Sequence, residues 1–153
     1  MNLQSHCFGF EADFVNELRC IPMAVRRKLD LAGVKLRLSH WLALTSAERE
    51  RLLGWPDGCT AIDSLRQWLM QRTAALPDGQ AKCLEPARTT SWQQADQLPT
   101  GLRIACDQLD LAVASEAWGK LNELERFALV KLSQPGHEHR NLPDALREFG
   151  LAD

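Results

Sequence analysis

The sequence contains no uninterrupted run of about 18 apolar residues, the length a helix needs to cross a bilayer, so no membrane span is expected. The amino terminus, M-N-L-Q-S-H-C-F-G-F, lacks a basic segment followed by a long apolar one, which argues against a secretory signal and predicts a cytoplasmic protein. An excess of one charge is missing too: 18 Lys and Arg stand against 20 Asp and Glu, a formal net charge of −2. Because the basic residues are scattered and form no stripe, nucleic-acid binding is not expected. The five cysteines, Cys7, Cys20, Cys59, Cys83 and Cys106, are odd in number and never spaced C-x-x-C. A disulfide framework and a zinc knuckle are therefore disfavoured, and the thiols read as small hydrophobes.

Catalytic signatures are lacking as well. The chain has no G-x-S-x-G, no H-E-x-x-H, no phosphate loop and no G-x-G-x-x-G after a strand. Glu123 with Glu125, and Asp107 with Asp110, fall on predicted helices where ordinary solvated carboxylates are expected, so neither pair is assigned to acid–base work. The expectation is a protein that is not an enzyme and needs no cofactor.

What the sequence does contain is a repeat. Trp41 to Leu53, W-L-A-L-T-S-A-E-R-E-R-L-L, returns at Trp118 to Val130 as W-G-K-L-N-E-L-E-R-F-A-L-V. Laying Pro99 on Pro22 aligns, without a gap, Val25 with Leu102, Arg26 with Arg103, Asp30 with Asp107, Trp41 with Trp118, Thr45 with Asn122, Glu48 with Glu125 and Arg49 with Arg126. A four-residue insertion then carries the match through Thr60 on Asn141, Asp63 on Asp144, Leu65 on Leu146 and Trp68 on Phe149. These spacings predict an all-α fold, a single domain over 1–153. It would comprise an N-terminal lead and helix (1–21), a first repeat (22–70), a linker (71–98) and a second repeat (99–151). Each repeat is expected to be three helices long, with too little apolar surface to close a core alone, so the two should pack together about a pseudo-twofold axis.

Locally, residues 8–14 predict a short extended lead entering a helix through Phe10, Phe14, Leu18 and Ile21. Pro22 should open a helix with Val25, Leu29 and Ala32 inward and an Arg26–Asp30 pair outward, ending at Gly33. Val34–Leu38 alternates as an extended connector, and Ser39 is placed to cap a turn bearing His40 and Trp41. Thr45 and Glu48 have the spacing of a capping box, and Thr60 with Asp63 repeats it for a helix burying Ile62, Leu65, Trp68, Leu69 and Leu76. Trp92 should anchor the linker. Residues 123–132 are apolar nearly all round and predict a buried centre, whereas 46–54, with Glu48, Arg49, Glu50 and Arg51, should lie on a rim.

The repeats differ most in the loop from Pro135 to Asn141, four residues longer in the second copy. His137, Glu138, His139 and Arg140 are the candidate binding residues. Two imidazoles at i and i+2 could share a metal if the loop were extended and Cys7 or His6 completed the set. The same residues could hold an anion or carboxylate at the following helix N-terminus. They could equally form a polar turn in which Asn141 caps the last helix and Pro143 lies in its first turn.

The opening F-G-F-E-A-D-F-V-N-E-L-R-C-I-P-M-A-V-R-R-K-L-D, Phe8 to Asp30, and the closing block from Leu124 to Leu151 resemble the bacterial nitrate-reductase-associated proteins. The resemblance covers nearly the whole chain and is weakest between about 71 and 98. It implies a cytoplasmic accessory role in assimilatory nitrate reduction, with nitrate reductase or its maturation factors as partners, and it assigns no catalytic residue.

Overall fold

The structure, a computed structural model, describes residues 7–12, 18, 20–134 and 141–152. It is mostly helical, as expected: among the described residues there are eight α-helices and one pair of two-residue strands. The chain divides into two compact units, Met1–Arg88 and Thr89–Asp153. The boundary falls within the aperiodic stretch 71–98.

In the first unit the first element among the described residues is a 3-10 turn, Gly9–Glu11, where an extended lead was expected. The cause is Glu11, a buried carboxylate whose Oε1 accepts from the Phe8 N–H at 3.1 Å and whose Oε2 accepts from the Met23 N–H at 3.2 Å. That second bond seats an anion on the amide end of helix α1 (Met23–Ala32), where the orphan N–H groups and the helix dipole both favour it. Phe14 lies outside the described residues. Helix α1 buries Val25, Leu29 and Ala32, but Arg26 does not pair with Asp30; its Nε donates to the Ile21 carbonyl at 2.9 Å. Gly33 ends the helix at φ 72°, and the Leu84 carbonyl would lie 2.5 Å from any Cβ placed there, so two constraints demand glycine.

Strand β1 (Val34–Lys35) pairs antiparallel with β2 (Lys82–Cys83), Val34 opposite Cys83. The expected extended connector is thus only two residues long, because helix α2 (Leu38–Ala43) starts sooner than alternation suggested. Ser39 does not cap it. His40 does that work: its Nδ1 accepts from the Arg37 N–H at 3.1 Å, which leaves Nε2 to donate to the Gly79 carbonyl at 2.8 Å. Ser39 instead donates to the Asp78 carboxylate and holds that carboxyl below its ordinary range.

Helix α3 (Ser46–Leu53) has the expected capping box, with Thr45 Oγ1 accepting from the Glu48 N–H at 3.1 Å and Glu48 accepting from the Thr45 N–H at 2.9 Å. Helix α4 (Cys59–Ala74) starts a residue or two before the sequence suggested, with Gly58 at the cap, so Thr60 lies inside the first turn. Ile62, Leu65 and Leu69 are buried as predicted, while Trp68 and Leu76 are only partly so.

The second unit opens with a 3-10 turn at Ser91–Gln93 and continues through α5 (Thr100–Gln108), α6 (Ser115–Lys120), α7 (Glu123–Leu132) and α8 (Leu142–Glu148). Its centre is α7, with Phe127, Ala128 and Leu129 fully buried and α5, α8 and the 3-10 turn packed around it. Burial of a large apolar side chain contributes about 1.5–3 kcal/mol. Trp92 meets Phe127 edge to face, centroids 5.1 Å apart, so it does anchor its segment. Asn122 and Glu125 form the second capping box. Asn141 makes no side-chain cap bond, contrary to expectation, because its backbone is already helical (φ −92°, ψ −8°).

Each unit therefore holds four helices among the described residues, the fourth being the short Trp-bearing segment that the sequence presented as a connector.

Candidate functional site

His137, Glu138, His139 and Arg140 lie outside the described residues, as does His6. Cys7, named with His6 as a further ligand, has its thiol pushed up to about 11 by burial and by the Glu11 carboxylate. It stays a thiol at neutral pH, the form least suited to attack or ligation. Among the described residues no group of three or more His, Cys, Asp or Glu is placed to hold a metal ion.

The charged side chains that the sequence might offer to a ligand are, in the main, bonded to backbone. Arg49 gives Nε to the Trp41 carbonyl at 3.1 Å and Nη2 to the Leu42 carbonyl at 2.9 Å. Arg126, 8% exposed, gives Nε to the Trp92 carbonyl at 2.9 Å and Nη1 to the Leu121 carbonyl. Lys28, 8% exposed, donates to the carbonyls of Leu52 and Leu53 at 3.2 and 2.7 Å, and so closes the carbonyl end of α3. Burial lowers its pKa to about 8, against the opposing pull of Asp57. Arg72 pairs with Glu48 at 2.8 Å, which holds the Glu48 carboxyl below its usual range and raises the arginine. Glu123, Asp107 and Asp110 converge on no cleft among the described residues.

A cleft of about 400 Å³ does occur in the second unit, where the start of α5, the end of α7 and the Ser91–Gln93 turn meet. Leu98, Pro99, Leu102 and Val130 supply its apolar lining. Ser91, Gln97, Thr100 and Gln134 supply polar side chains, none of which makes a hydrogen bond among the described residues. Gln94 and Ser133 also line it but are engaged, Gln94 Nε2 with the Thr89 carbonyl and Ser133 Oγ with the Val130 carbonyl, both at 2.9 Å. Among the described residues no charged side chain lines the cleft.

Why it is open there follows from the start of α5. Pro99 occupies the cap position and offers no side-chain acceptor, so the amides of Thr100, Gly101 and Leu102 have no hydrogen-bond partner among the described residues. Arg103 is the first bonded amide of that helix, to the Pro99 carbonyl at 3.1 Å. Sequence reasoning missed this cleft because its lining residues are ordinary linker residues; the available signal was a Pro-started helix without a Ser, Thr, Asp or Asn cap, entered from a glutamine-rich segment.

No helix among the described residues is long and apolar enough to cross a membrane. Neither the curated proteins nor the solved structures contain a match to the chain. The sequence profile of the conserved nitrate reductase-associated proteins matches residues 7–149, spanning the described parts of both units from the Glu11 turn to α8, and the chain belongs to that family.

Proposed function

We propose that this chain is a non-catalytic accessory protein of assimilatory nitrate reduction, acting in the cytoplasm by binding nitrate reductase or one of its maturation factors. The family match over residues 7–149 carries this reading. The geometry is compatible with it: the buried or half-buried charges of Lys28, Arg49 and Arg72 in the first unit and Arg126 in the second are committed to carbonyls and to one carboxylate. On this proposal His137, Glu138, His139 and Arg140 carry the partner contact, because they are where the two repeats depart most.

The units are further proposed to be tandem copies of one ancestral unit. Support comes from matched local chemistry at aligned positions. Trp41 donates its indole N–H to the Leu18 carbonyl at 2.7 Å, and Trp118 donates to the Gln94 carbonyl at 2.9 Å. Both capping boxes and both carbonyl-gripping arginines recur as well.

Capture from an extract of nitrate-grown cells tests the function. The intact chain as bait is expected to retain nitrate reductase or a maturation factor, and a variant with alanine at 137–140 to lose it. Failure of retention across several salt concentrations would count decisively against a partner, and full retention by the variant would move the contact elsewhere.

A further inference from the structure

We propose that Arg51, Trp55 and Trp68, all in the first unit, form a docking point for an acidic peptide segment of a protein partner. The Arg51 guanidinium lies 4.9 Å from the Trp55 ring centroid and 5.7 Å from that of Trp68, the two rings being 6.1 Å apart and tilted by 41°. Trp55 is fixed in turn by its indole N–H, which donates to the Ala61 carbonyl at 2.7 Å. Both indoles are half-buried, and Arg51 is exposed. Among the described residues the guanidinium makes no hydrogen bond or ion pair, so the two rings alone hold it. A flexible cationic side chain is thereby kept in place before any partner arrives, which lowers the ordering cost of binding.

Packing does not require this trio. At the aligned positions the second unit has Ala128, Leu132 and Phe149, the first two buried, so hydrocarbon suffices there. Tryptophan and arginine are also the side chains that most often dominate protein interfaces. The charge balance sets the chemistry of the partner. Glu48 is held by Arg72 at 2.8 Å and Asp57 by Arg27 at 3.1 Å, while Glu50 and Asp63 lie about 100° and 140° round their helices from Arg51 and Trp68. The patch thus carries one uncompensated positive charge. A single carboxylate matches it, with two oxygens on the planar fork, whereas a phosphate, with close to two charges, calls for a second cation. The indoles beside it suit an apolar side chain neighbouring that carboxylate. This contact is separate from the one proposed at 137–140, and either can fail without the other.

A photo-cross-linking residue, benzoylphenylalanine, in place of Gln71 tests this in the full chain inside cells, since that position is exposed and three residues beyond Trp68 on the same side of α4. Irradiation is expected to join the chain to another protein at a segment bearing Asp or Glu. Arg51→Glu and Arg51→Gln should each lower that yield about tenfold or more, and Arg51→Lys, which keeps the charge but not the fork, by less. Replacing the partner's carboxylate by lysine should restore the yield with Arg51→Glu. Circular dichroism checks that each variant folds as the parent does; if Arg51→Glu does not, Arg51→Gln decides alone. No cross-linked protein, a cross-link to a second copy of this chain or to nucleic acid, or a yield indifferent to both replacements overturns the proposal. So does failure of the charge swap to restore the yield in a folded Arg51→Glu.

Discussion

The two units share a tryptophan, an arginine and a capping box at aligned positions, but they fill the space behind these features by opposite means. In the first unit Lys28 reaches the end of α3, and Arg72 braces Glu48. There too, Arg51 lies over the rings of Trp55 and Trp68, at 4.9 and 5.7 Å from their centroids. In the second unit the positions aligned with Lys28, Arg51, Trp55 and Trp68 are Ala105, Ala128, Leu132 and Phe149, and among the described residues Glu125 bonds to its capping partner Asn122 alone. At these aligned positions one unit places charge on carbonyl, carboxylate and ring while the other places hydrocarbon, although the second unit keeps Arg126 on its two carbonyls and Lys131 over the Phe127 ring at 5.3 Å. Polar bracing depends on pH and on desolvation, whereas apolar filling depends on volume. The two units can therefore respond to different stresses.

The sharpest break of this comparison is at one aligned pair, Glu50 in α3 and Phe127 in α7. Phe127 is 0% exposed, so Phe127→Ala should cost about 3–5 kcal/mol by transfer and cavity terms together. Glu50→Ala should move stability by no more than about 0.5 kcal/mol. Chemical denaturation of both variants checks this, and equal costs would remove the distinction between rim and centre.

Next in size is the arginine pair. Arg126→Met leaves the carbonyls of Trp92 and Leu121 unpaired in a buried site and is expected to cost about 2–3 kcal/mol. Arg49→Met loses two bonds, one at the part-buried Trp41 carbonyl and one at the exposed Leu42 carbonyl, and should cost about 1–2 kcal/mol. Denaturant midpoints compared at constant slope distinguish the two.

A smaller effect belongs to Lys28. Its folded pKa of about 8 lies below the ordinary value of 10.5, so between these limits the unfolded chain binds more protons than the folded one. Stability should therefore rise as pH goes from about 8 to 10.5, by roughly 1–2 kcal/mol once solvent screening at a partly open site is allowed for. Lys28→Met should flatten that rise, although it also removes two bonds to carbonyls. Ala105, its counterpart, can contribute nothing of the kind.

The smallest expected effect is at the two capping boxes. Glu48 is held below the usual carboxylate range chiefly by its bond to Arg72, so its contribution is present above that range and lost as pH falls through the lowered folded value. Glu48→Gln should cost about 0.5–1 kcal/mol at neutral pH, and Glu125→Gln, without an arginine, less. Acid titrations of thermal unfolding measure the difference.

These particulars also show how far the sequence could be read. Thr45–Glu48, Gly33, the burial of α7 and the anchoring of Trp92 were legible because each rests on spacing within a few residues or on one unmistakable side chain. The α2 cap by His40, the turn made by Glu11 and the β1–β2 pairing were not. Each depends on a partner from elsewhere in the fold or on a histidine or glutamate taking a role that local propensity gives to serine. The cleft was illegible for the same reason, since its walls come from three separate segments and its donors are backbone amides. The His137–Arg140 loop is singled out by the repeat alone, as the place where two otherwise parallel sequences diverge, and it lies outside the described residues.

The central claim is that the chain serves nitrate reduction. Growth of a strain lacking it, compared on nitrate and on ammonium as sole nitrogen source, tests that most directly. A growth defect on nitrate that disappears on ammonium, and is restored by the intact gene, is the predicted result; equal growth on both would contradict it.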